Sequence, residues 1–237
     1  MKPGKVKRND GFDFIFLDFY AAVSYNQLKR GGSNMAAQPV RMPRQKRSME
    51  TRDAILQAGY ALFSEKGYYK TNTAEIAKRA GVSTGIVYSY FHDKKDILKE
   101  VVKLYAGRLE TQFDRLLPEK VEREALPSLV EGLMEACLAS HTMERGAHDE
   151  FLALALLEPD IGALFDTMET RILHTLEARM EQAGCAGEGL AERLRIGYGL
   201  VERFCHDCIG GKIPQEHRAR AGQWTARAVL SLFDGPV

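Results

Sequence analysis

From Ser48 onward apolar residues recur at intervals of three and four, and no stretch alternates in the manner of a half-buried strand. Ile55, Ala58, Gly59, Leu62 and Phe63 fall on one stripe of a helix that Gly67 ends. Asn72-Thr73-Ala74-Glu75 has the form of a capping box and opens a short helix through Ala80. Ser83 is placed to cap a third helix reaching about Phe91. A fourth starts near Asp93 or Lys94, carries Ile97, Leu98, Val101, Val102, Tyr105 and Leu109, and is stopped by Pro118. Five further helices are expected near 123–141, 145–157, 160–183, 189–210 and 216–233. Pro159, Gly184, Gly187, Gly210-Gly211 and Pro214 mark the breaks. The pattern predicts an all-α protein.

The stretch Thr73–Tyr90 has the internal logic of a helix-turn-helix. Ile76, Ala77 and Ala80 form the inner face of its first helix, and Ala77 is small where the second helix crosses. Gly81 sits where the turn favours a left-handed backbone, which glycine adopts without a side-chain clash. Val82 plugs the turn, while Val87 and Phe91, four apart, bury the second helix. The outer face then presents Thr84, Gly85, Tyr88 and Tyr90, with His92 and Lys94 just beyond. Small or polar groups at the front and hydrogen-bond donors behind suit a helix entering the major groove between phosphates.

Charge supports that reading. The net charge of +1 hides a division: residues 1–99 hold 18 Lys and Arg against 9 Asp and Glu, and residues 100–237 hold 15 against 23. A basic front half and an acidic back half imply a nucleic-acid-facing end and an end with another task.

The sequence Thr71-Asn72-Thr73-Ala74-Glu75-Ile76-Ala77-Lys78-Arg79-Ala80-Gly81-Val82-Ser83-Thr84-Gly85-Ile86-Val87-Tyr88-Ser89-Tyr90-Phe91, followed by Lys94 and Leu98, resembles the signature of the TetR (tetracycline-repressor-like) family. Ala61-Leu62-Phe63-Ser64-Glu65-Lys66-Gly67-Tyr68 fits it too, so the likeness is specific across about residues 50–100. It implies a DNA-binding unit over 48–95 and a helical ligand-binding and dimerisation domain over 96–237. It also implies that Thr73 contacts phosphate and that Thr84, Gly85 and Ile86 read bases. Tyr88, Tyr90 and Lys94 would grip the backbone or groove wall. Asn72 departs from the commoner threonine, but asparagine caps equally well.

The same resemblance implies a homodimer on a double-stranded operator with two-fold symmetry, paired through the last two helices. Leu194, Gly197, Val201, Phe204, Trp224 and Ala228 are the expected interface. A small-molecule effector is expected among the middle helices, near Cys137, His141, Phe151, Phe165, Met168, Ile172 and Tyr198, and the acidic balance favours a neutral or cationic one. A regulator of the same fold without a small-molecule ligand is the alternative. No Gly-rich phosphate loop or nucleophile–base pair points to an enzyme or to a cofactor.

Four cysteines, Cys137, Cys185, Cys205 and Cys208, are too few and too dispersed for a disulfide framework, which fits a reducing cytoplasm. Cys205-His206-Asp207-Cys208 reads as a pair of structural thiols, with a thiol sensor as the alternative. No metal centre is expected, because on a helix the pair offers two ligands on one face and His206 points elsewhere.

Residues 1–47 read as a poorly ordered leader and basic arm. Phe12–Val23 is apolar, but Asp13 and Asp18 interrupt it and twelve residues fall short of the roughly 20 that span a bilayer. Met35 or Met42 is a plausible natural start. Arg41-Met42-Pro43-Arg44-Gln45-Lys46-Arg47 forms the arm.

Overall fold

The computed structural model describes residues 42–182, 184 and 187–233. The expected leader over 1–41 and Cys185 lie outside the described residues. Nine helices are described: α1 (Met42–Lys66), α2 (Thr73–Ala80), α3 (Thr84–Tyr90), α4 (Lys94–Leu116), α5 (Leu126–Met143), α6 (Arg145–Leu157), α7 (Pro159–Gln182), α8 (Leu190–Ile209) and α9 (Arg218–Ser231). No strand occurs among the described residues. One expectation is corrected: α1 begins at Met42, so residues 42–47 belong to the first helix rather than to an arm.

The ends of the short helices follow from their sequence. Asn72 accepts from the Glu75 N–H while the Glu75 carboxylate accepts from the Asn72 N–H, each at 3.0 Å, which closes the capping box at α2. Gly81 ends α2 at φ +71°, in the left-handed region. Ser83 caps α3 by accepting from Ile86 N, and Asp93 caps α4 by accepting from Asp96 N.

Residues 47–237 form one compact unit, and α4 belongs to both of its ends. Its first turns bury Ile97, Leu98 and Val101 with Ile55, Phe63, Ile76, Val87 and Phe91. Gly59 of α1 brings the two helices close, since a Cβ there would lie 2.9 Å from Ile97 Cγ2. Further along, α4 packs on α7, α7 on α6 and α8, and α5 on α8 and α9. The back half has several apolar clusters: Val121, Leu126, Leu173, Met180, Leu190 and Leu194; Met134, Phe204, Cys205, Cys208 and Ala226; and Ala106, Met168 and Ile172. No described helix is long and apolar enough to cross a membrane.

Candidate DNA interface and interior cavity

The front half of the site is α3 with its flanks. Val87 is fully buried and Phe91 nearly so, which turns the opposite face of α3 outward. Gly85 is exposed, Ile86 is 41% exposed and Tyr88 54%, unusual values for large apolar side chains unless something covers them. A Cβ on Gly85 would meet nothing nearer than Ser83 Oγ at 3.9 Å, so its surroundings are open. Thr73 and Thr84, at the first positions of α2 and α3, are half-buried. Tyr90 is tied down, with its hydroxyl 3.0 Å from Ser48 Oγ on α1.

Lys94 has work within the chain. Its ammonium donates to the carbonyls of Tyr68 and Thr71, both at 2.8 Å, and lies over the Tyr68 ring at 4.1 Å. Burial, with Lys66 nearby, lowers it below the ordinary lysine range. Two of its three donors therefore staple the turn between α1 and α2.

Behind this unit lies a cavity of about 490 Å³ between α4, α5, α7, α8 and α9. Its walls are mainly apolar, with Gln112, Arg115, Ser140, His141 and Glu202 as polar exceptions. Of the expected effector contacts, Cys137, His141, Met168, Ile172 and Tyr198 line it. Phe151 and Phe165 do not. Phe151 is fully buried, edge-on to Tyr60 and Tyr105, and serves the packing between α1, α4 and α6. Phe165 packs behind the wall against the cluster of Ala106, Met168 and Ile172.

A polar chain runs from this cavity to the DNA-binding unit, and sequence reasoning missed most of it. Glu202 Oε2 lies 3.2 Å from His141 Nε2. Burial opposes the charged form of each, yet their contact outweighs it, holding His141 above and Glu202 below its ordinary value. The His141 ring centroid lies 4.1 Å from that of His148, the rings tilted by 56°, and His148 Nδ1 is 3.0 Å from the Tyr105 hydroxyl. Burial first, then the neighbouring His141 and His206, push His148 down to about 4, so it stays neutral. One turn along α4, the buried Arg108 donates to both oxygens of Glu144 at 3.1 and 3.3 Å. Glu144 also accepts from the Tyr60 hydroxyl of α1 at 2.8 Å. The one hint in the sequence was Arg108 itself, a charge on the buried stripe of Val101, Tyr105 and Ala106.

The expected dimer residues divide, and the larger part is corrected. Leu194, Gly197 and Phe204 are buried within the chain, and Val201 lines the cavity. A Cβ on Gly197 would touch Val229 of α9 at 3.5 Å, so this stripe joins α8 to α9 of the same chain. The outward face of α8 carries Ile196, Gly199, Leu200 and Arg203 instead, with Ile196 53% exposed. Trp224, 60% exposed, and Ala228 do face outward on α9.

Comparison with known proteins agrees with this geometry. The family model described as "Bacterial regulatory proteins, tetR family" matches residues 55–101. The HTH-type transcriptional regulator AcrR of Shigella flexneri is 32% identical over 171 residues, 66% of this chain and 79% of that protein. The HTH-type transcriptional regulator BetI of Escherichia coli K12 is 32% identical over 148 residues, 59% of this chain and 73% of that protein. Among solved structures, a TetR-family transcriptional regulator from Mesorhizobium loti superposes with a TM-score of 0.62 at 22% identity, covering 79% of this chain and 96% of that one. A signature confined to α1–α4 thus continues as a shared fold through the helices behind it, and the chain belongs to the TetR family of DNA-binding transcriptional regulators.

Proposed function

We propose that the protein is a homodimeric repressor that grips a two-fold symmetric operator and lets go when a small, mainly apolar effector enters the cavity. The observation that carries this reading is the cavity itself. Its volume of about 490 Å³ lies within the range of ligand pockets, and its mainly apolar wall has a few placed polar groups. A neutral or cationic ligand suits the Glu202 carboxylate better than an anion does.

In this reading Gly85, Ile86 and Thr84 meet base edges, while Thr73, Tyr88, Tyr90 and the third donor of Lys94 meet the backbone. Two copies of α3 must stand roughly 34–36 Å apart to enter successive major grooves. An effector that binds better to a different spacing shifts the population away from DNA. The route is the chain Glu202–His141–His148–Tyr105, with Arg108 and Glu144 carrying it on to Tyr60 of α1.

The test is nuclease protection of the DNA upstream of the gene, followed by titration with apolar amines and neutral apolar compounds. A protected inverted repeat that such a compound releases is the expected result. Protection that no compound relieves, with a compound-free protein in transcription assays acting as an activator, would sink the effector-released repressor and favour a partner-controlled regulator.

A further inference from the structure

The strongest unassigned feature is the ring of imidazoles behind the cavity wall. Three helices bring His141 (α5), His148 (α6) and His206 (α8) together, and the ligating nitrogens of all three lie within 4.8 Å of one another. His148 Nε2 and His206 Nε2 are 3.4 Å apart. Glu202 Oε2 is 3.2 Å from His141 Nε2 and 3.7 Å from His206 Nε2. We propose that His141, His148 and His206 form a binding site for a divalent first-row transition-metal ion of the zinc class, with the Glu202 carboxylate beside two of them.

Distance is the first argument. Zinc–nitrogen bonds of 2.0–2.1 Å in a tetrahedron place neighbouring ligand atoms about 3.3 Å apart. The His148–His206 separation of 3.4 Å matches it, and Glu202 Oε2 stands 3.2 and 3.7 Å from His141 and His206.

Orientation is the second. His141 Nδ1 is 2.8 Å from the Cys137 carbonyl, which can only accept, so Nδ1 holds the hydrogen. Its Nε2 then faces the Glu202 carboxylate. The ligating tautomer thus turns its Nε2 lone pair toward the carboxylate and the other two imidazoles, where a cation fits between them.

The outer partners are the third argument. Metal-bound histidines hold their second nitrogen to a carbonyl, carboxylate or similar group. His141 has the Cys137 carbonyl, His148 has the Tyr105 hydroxyl at 3.0 Å, and Glu202 Oε1 accepts from Cys137 Sγ at 3.4 Å. His206, whose side chain is 32% exposed, opens a way in from solvent.

Imidazoles with one carboxylate suit zinc, nickel or copper rather than magnesium or calcium, which prefer oxygen throughout. Three imidazoles from three helices would hold the ion, with the Glu202 carboxylate offsetting its charge, so the ion would fasten those helices. It would fasten α6, which holds the DNA-binding unit, to α5 and α8. The sequence hid the site because its ligands are spread over three helices. His206 does turn away from Cys208, and it turns toward the other two histidines. The site shares His141 and Glu202 with the cavity wall, but its test reads metal and not operator.

The full chain, stripped with chelator, is titrated with zinc(II) against a chromophoric competitor and with cobalt(II) in the spectrophotometer. One ion per chain is expected, with the strong visible bands of four-coordinate cobalt and no thiolate charge-transfer band. His148→Gln and His206→Gln should each lower zinc affinity by about 100-fold or more, since loss of an outer partner alone costs up to that. His206 lies at the edge, so its variant keeps the test open if His148→Gln fails to fold. His174→Gln, at an exposed histidine of α7, should change nothing. No saturable binding, or binding untouched by either variant, would overturn the site. So would a thiolate band abolished by Cys137→Ser, because the ion would then belong to the neighbouring group of Cys137, His141 and Cys205.

Discussion

A side chain can be exposed because nothing needs it or because its partner is not part of the chain, and Gly85 and Lys94 show how to tell. Gly85 has a helical neighbourhood with open space where a Cβ would stand. Gly85→Leu should therefore leave thermal unfolding near that of the parent, or slightly higher by helix propensity. Operator binding should be lost or redirected, because a branched side chain would meet the bases. A calorimetric scan beside a gel-shift titration checks both, and a collapsed melt would mean that Gly85 serves the fold. Lys94 behaves oppositely. Lys94→Ala removes two charge-assisted hydrogen bonds to Tyr68 and Thr71, each worth about 1.5–3 kcal/mol at most in such settings. Denaturant titration should show a loss of roughly 3 kcal/mol, the low end for two such bonds at a half-buried ammonium, and the salt slope of operator binding should fall by about 1 if its third donor reaches a phosphate.

Among the elements, legibility followed the range of the interaction that fixes them. The capping box at Asn72, the left-handed Gly81 and the stop before Pro118 are settled by neighbours in sequence, and they stand where the pattern placed them. The outer face of α3 was equally legible, because burying Val87 and Phe91 leaves only one face for solvent. What failed was the assignment of faces on long helices with apolar residues on two sides. On α8 the stripe through Leu194, Gly197, Val201 and Phe204 looks like an interface, yet Val229 of α9 and the cavity claim it. Periodicity finds a stripe but not its partner. The chain from Glu202 to Tyr60 was illegible for the same reason: its contacts cross up to 84 positions.

For the whole molecule, the proposed dimer can be tested at the two outward stripes of α8 and α9. Leu200→Glu on α8, or Ala228→Glu on α9, would bury an unpartnered charge in each half of a symmetric interface, at several kcal/mol for each copy. Sedimentation should show monomers, and operator affinity should fall steeply because one recognition helix then binds alone. Val201→Glu makes the contrast: it points into the cavity, so it should leave the dimer intact and abolish effector binding. Intact dimers in both Leu200→Glu and Ala228→Glu would place the interface elsewhere.

The start of α6 meets the end of α1 almost without clearance. A Cβ on Gly146 would lie 2.9 Å from the Ser64 carbonyl oxygen, and Glu150 of the same helix accepts from the Tyr68 N–H. Only a bare backbone passes there, which makes this point a door hinge shimmed to zero. Gly146→Ala sits in a helix and would, by propensity alone, stabilise it by about 1 kcal/mol. In this seat the added methyl instead drives a wedge between α6 and α1. The expected variant is folded and dimeric but releases its operator with no effector present, a regulator jammed in its induced position. Operator affinity measured without ligand, beside the melting temperature, reads the wedge directly: a stabilised protein with parental affinity would mean that the hinge has slack.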